Sequence, residues 1–122
     1  MKNSILEERY CSSKVARLLQ QNGFDFDNPY TIAKPCKDEC GEYWTCTHQS
    51  AMDWLRTKKR IFISIHAYRG NHYDGYIDCF EINVYSHAST IIVPEEIRLQ
   101  YDYGKAVESA LIFALETVVN DV

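Results

Sequence analysis

The stretch RIFISIHAYRGNHYDGYIDCFEINVY, Arg60 to Tyr85, decides the fold. In its first half large apolar residues recur at every second position, which puts Ile61, Ile63 and Ile65 on one face of a strand. In its second half Phe80, Ile82 and Val84 fall in the same step. Between them Gly70 and Gly75 bracket Asn71-His72-Tyr73-Asp74, residue types that tolerate a turn. With Gly70 opposite Gly75, the hairpin pairs Ile65 with Phe80, Ile63 with Ile82 and Ile61 with Val84. A slip of one residue would set apolar against polar partners, so side-chain pattern selects this face as the core. Burying each of these side chains contributes about 1.5–3 kcal/mol. The same register places Phe62 with Asn83, Ser64 with Glu81, His66 with Cys79 and Tyr68 with Ile77 on a mixed far face.

Working outward, Ser12 or Ser13 caps a helix over Lys14–Asn22, with Val15, Leu18 and Leu19 on its apolar side and Gly23 as its stop. Phe24 and Phe26 pack back beneath it. Tyr30-Thr31-Ile32 and Glu42–Cys46 read as short strands of a second hairpin around the turn residues Lys37–Gly41. Thr47 caps a helix over His48–Thr57 that ends in Arg56, Lys58, Lys59 and Arg60, cations that complement the helix dipole. Ser89–Val93 is β-branched and stopped by Pro94, a third strand of the main sheet. Glu95–Tyr101 fits a helical turn or an extended piece equally. Asp102 caps a last helix, Tyr103–Asn120, in which Val107, Ala110, Leu111, Ala114, Leu115 and Val118 recur at helical spacing. That helix should lie across the isoleucine face.

The expectation is an α+β fold, one domain over residues 1–122, in the rough order αββαβββα. A mostly antiparallel sheet has helices packed on one face, and its uncovered face meets a partner.

The chain has 122 residues, enough for one genuine core. Its net charge of −4 argues against a protein that coats nucleic acid by neutralising phosphates, despite the basic cluster at Arg56–Arg60. The amino terminus lacks the apolar core of a signal peptide and no run reaches the length of a membrane span. Five cysteines, an odd number, suit reduced thiols. A soluble cytoplasmic protein without membrane attachment is expected.

Three groups of residues could carry chemistry. Cys36, Cys40, Cys46 and His48 are ligand types for zinc within a short span, but they are not spaced as a pair of CxxC knuckles. Reduced thiols without a cofactor are the simpler reading. His66 opposite Cys79, with Glu81 and Ser64 one step along, offers a thiol beside an imidazole and a carboxylate. Neither an oxyanion hole nor a nucleophile elbow accompanies them, so a partly covered sheet face is preferred to an enzyme. The tip, Tyr68, Arg69, His72, Tyr73 and Tyr76, carries the residue types that anchor protein interfaces. It points to a protein partner, a second copy included.

The segments VARLLQQNGFDF (15–26), THQSAMDWLR (47–56) running into IFISI (61–65), and YGKAVESALIFALETVV (103–119) together resemble a family of small uncharacterised proteins. That family is encoded by gut bacteria of the Bacteroides type and by their phages and mobile elements. The resemblance covers about half the chain and consists of packing patterns. It implies a cytoplasmic accessory protein of a bacterial or phage genome and brings no known activity and no functional residues with it; the function expected in that context is a protein interaction or inhibitor module.

Overall fold

The computed structural model describes residues 9–72 and 75–121, without the side chains of 68–72, 75–78, 120 and 121. The elements are α1 (Ser13–Gln21), β1 (Ala33–Asp38), β2 (Gly41–Cys46), α2 (His48–Trp54) extended by a π-helical turn (Leu55–Lys59), β3 (Ile61–His72) and β4 (Gly75–Ser86). They continue with β5 (Thr90–Ile91), α3 (Glu95–Arg98), β6 (Leu99–Gln100), α4 (Tyr103–Glu116) and a 3₁₀ turn (Val118–Asp121). The fold is α+β with two antiparallel sheets. The ambiguous segment after Pro94 turns out to hold both alternatives, one helical turn followed by a two-residue strand.

β3 and β4 pair without a bulge from Ile61↔Ser86 to His72↔Gly75. This register differs by two residues from the one the side chains suggest: Ile63 lies opposite Val84, Ile65 opposite Ile82 and Ala67 opposite Phe80. Gly70, Asn71 and His72 belong to β3, paired with Ile77, Tyr76 and Gly75, where the sequence predicts a four-residue turn between Gly70 and Gly75. Because side chains repeat every two residues, a slip of two leaves both faces intact. Ile61, Ile82 and Val84 are fully buried, with Ile63, Ile65 and Phe80 packed around them.

α4 lies against this face. Asp102 caps it, its carboxylate accepting the Lys105 N–H at 2.8 Å. Val107, Ala110, Leu111, Ala114 and Leu115 are all buried. The α-helix stops at Glu116, short of the expected Asn120, and the chain tightens into the 3₁₀ turn that buries Val118. α1, capped by Ser12, inserts Val15 and Leu19 into the same core, and its Ala16 is buried as well. Phe24 folds back as expected, its ring 4.7 Å from Phe26 and 5.4 Å from Trp54.

The second hairpin exists but starts later than Tyr30, at Ala33; Tyr30 itself is exposed. Both β5 and β6 join the outer edge of β4, through Val84↔Ile91, Tyr85↔Thr90, Phe80↔Gln100 and Glu81↔Leu99. Among the described residues no strand joins the other edge of β3.

Candidate functional site

A short extended segment before α1 builds the most concentrated chemistry among the described residues. Tyr10 bridges to Thr47, the Cys11 N–H donates to the Cys46 carbonyl at 2.8 Å, and the His48 N–H donates to the Arg9 carbonyl at 2.9 Å. The Thr45 hydroxyl donates to the Cys11 carbonyl at 2.7 Å. The segment thus continues the small sheet and lays Cys11 beside Cys46, both buried. Thr47 caps α2, so His48 is its first residue, held where the helix begins. Glu108, in the second turn of α4, reaches the same point.

There the His48 Nε2 and Glu108 Oε2 lie 2.7 Å apart, and the Ser12 N–H donates to the same carboxylate oxygen at 3.0 Å. The Cys11 Sγ, a ring nitrogen of His48 and a carboxylate oxygen of Glu108 all lie within 4.8 Å of one another. Cys11 is 3% exposed and His48 7%. The side chain of Cys46 hydrogen-bonds the Cys11 thiol and, together with burial, pushes its pKa far up. Burial also drives the Glu108 carboxyl upward, but hydrogen bonds from His48 and Ser12 outweigh it and hold the group below its ordinary value.

A thiol, an imidazole and a carboxylate could serve a nucleophile or a metal. A nucleophilic cysteine needs an accessible, low-pKa thiolate. Cys11 is enclosed and kept protonated, so the arrangement does not suit attack on a substrate. As a ligand set it is apt: thiolate, imidazole and carboxylate are the donors zinc takes.

Of the ligand types expected from sequence, Cys46 and His48 stand at this cluster. Cys36 lies half-buried on β1 opposite Tyr43, three pairs from the Ala33↔Cys46 pair, about 10 Å along the strands. A hydrogen bond from the Tyr43 side chain lowers its pKa. Cys40 is exposed in the turn, its N–H on the Asp38 carboxylate at 2.9 Å. Cys11 and Glu108 carried no local signal. They are 37 and 60 residues from His48 in sequence, and Glu108 reads as the polar neighbour of an apolar stripe.

The register shift also dissolves the expected His66–Cys79 pair. His66 lies opposite Glu81, and Cys79 opposite Tyr68. The Asn83 amide donates to the His66 ring nitrogen at 2.7 Å, while Glu81 accepts from Arg98 Nη1 at 2.6 Å. Imidazole and carboxylate therefore each serve another partner. For the expected tip, the backbones of Tyr68, Arg69, His72 and Tyr76 belong to β3 and β4, their side chains are outside the description, and Tyr73 lies outside the described residues. The cations after α2 are partly engaged locally: Arg56 sits 3.4 Å from Asp53, and Lys59 lies over the Trp54 ring at 5.5 Å.

A second feature lies along β3. Its first half carries exposed Phe62 (39%), His66 and Ala67. Beside it a groove of about 220 Å³ is lined by Gln49, Met52, Asp53, Arg56, Phe62 and Ile63.

No family model, curated protein or solved structure matches the chain. Among the described residues, no helix is long and apolar enough to cross a membrane.

Proposed function

We propose that this protein is a non-enzymatic interaction module that pairs with a second copy of itself along the open edge of β3. The observation that carries this reading is the edge itself. Twelve residues run in unbroken register with β4, and no described strand covers their other side. Protein edges are ordinarily blunted by shortness, a bulge, proline or lysine. β3 is long, has no bulge, and its sequence IFISIHAYRGNH contains neither residue, its one permanently charged side chain being Arg69 in the half nearer the turn. An isologous antiparallel pair covers both edges at once and closes the assembly, whereas a head-to-tail pairing would polymerise. The groove between α2 and Phe62 supplies a recess for a side chain of the added strand. The resemblance to small proteins of phages and mobile elements agrees with a non-catalytic accessory role for such a dimer.

Light scattering coupled to size exclusion, over a range of concentrations, tests it. A dimer is expected for the native chain and a folded monomer for Phe62→Lys, which puts a charge on the edge strand. A native chain that stays monomeric throughout, or a foreign protein bound at β3 in place of the second copy, would refute self-pairing.

A further inference from the structure

We propose that Cys11, His48 and Glu108 form a binding site for a zinc-type divalent cation. Three segments far apart in sequence deliver one donor each to a common point: the extended stretch before α1, the start of α2 and the second turn of α4. Donor atoms around a tetrahedral zinc, at about 2.0–2.3 Å from the metal, stand roughly 3.3–3.8 Å from each other. The present spacing, all within 4.8 Å with the closest pair at 2.7 Å, reaches that geometry by small side-chain rotations. The ion takes the place of the hydrogen bond between His48 and Glu108.

The charge balance is favourable. On binding, the Cys11 thiol releases its proton to solvent and becomes a thiolate. Thiolate and carboxylate then carry two negative charges, the imidazole none, and a divalent cation neutralises the set in a buried place where an unbalanced charge would be expensive. The Ser12 N–H on Glu108 and the backbone bonds around Cys11 are the outer contacts that hold ligands in orientation. Three protein donors leave the fourth tetrahedral position to water. Softness of the thiolate and the imidazole favours zinc over magnesium or calcium, which prefer oxygen throughout. Because the donors come from separate segments, the ion would staple the amino-terminal stretch to α4.

The test is a titration of the chelator-stripped full chain with zinc alone, read by competition against a chromogenic chelator and by thermal melting. One equivalent of zinc with a raised melting temperature is expected. Cys11→Ser and Glu108→Gln should each weaken binding by more than about a hundredfold, beyond what loss of an outer contact produces. Cys36→Ser with Cys40→Ser should leave it unchanged. Since either ligand variant could also disturb the fold, cobalt added to the native chain gives an independent reading, with the expected spectrum of a tetrahedral site bearing one thiolate. Absence of uptake by the folded chain, or uptake abolished by the Cys36/Cys40 double variant, would overturn the assignment.

Discussion

Asp38 shows how one side chain can tie two elements together. Its carboxylate accepts from Arg17 Nη1 at 2.9 Å and Nη2 at 3.3 Å, joining the end of β1 to α1. This two-pronged bond, seconded by Ser13, holds the carboxyl well below the usual aspartate range. A carboxyl whose pKa is depressed in the folded state stabilises above its unfolded value, near 4, and loses that contribution as pH falls through the depressed one. Asp38→Asn should therefore lower the melting temperature slightly at neutral pH, and the gap to the native chain should narrow below about pH 4. A gap that stays constant from pH 7 to pH 3 would mean that ionisation of Asp38 contributes nothing to stability. The residue scale is also where the sequence was least legible. His48 stood out as a ligand type, but only the chain's path reveals that its neighbours are Cys11 and Glu108. A side chain's type can be read in isolation, whereas its company depends on contacts made 37 and 60 residues away.

At the scale of elements, periodicity identified α4, the two faces of the hairpin and both long strands, because burial imposes a repeat that the residues must follow. It could not fix the register. Shifts of two residues preserve every face, so only the turn distinguishes them, and Gly70 proved to lie inside β3 opposite Ile77. That shift moved His66 from Cys79 to Glu81 and removed the proposed thiol pair. The junction into β3 held a second hidden constraint. Arg60 ends the π-helical turn with φ 60° and ψ 37°, the left-handed region, donating its N–H to the Leu55 carbonyl. Sequence showed Arg60 only as one cation among four. A side chain with a Cβ pays about 1–2 kcal/mol there, partly offset because glycine costs about 0.5–1 kcal/mol more to order. Arg60→Gly should thus raise unfolding free energy by up to about 1 kcal/mol, and β-branched Arg60→Val should lower it by about 1–2 kcal/mol. Urea midpoints at unchanged m-value would measure both; a less stable glycine variant would show that the Arg60 side chain outweighs the backbone relief.

Across the whole molecule, one apolar cluster gathers α1, α2, β3, β4 and α4. α4 supplies both large and small residues to it. Ala106, Ala110 and Ala114 recur every four residues and are fully buried, next to Val107, Leu111 and Leu115. The alanine row occupies buried positions with small side chains, while the adjoining row of Val107, Leu111 and Leu115 fills core volume. These two rows should respond to opposite changes in volume. Leu111→Ala removes a fully buried side chain and leaves a void, which costs about 2–5 kcal/mol. Ala110→Leu keeps the position apolar, yet a chain that reads only hydrophobicity would miss that it forces the helix away from its neighbours, at a cost of about 1–3 kcal/mol. Denaturant unfolding of the two variants decides the matter. If Ala110→Leu proved neutral, the space beside the alanine row would have to be open, and α4 could not be the closely packed centre on which the sheet, the cysteine–histidine–glutamate cluster and the β3 edge left uncovered by any described strand all depend for their placement.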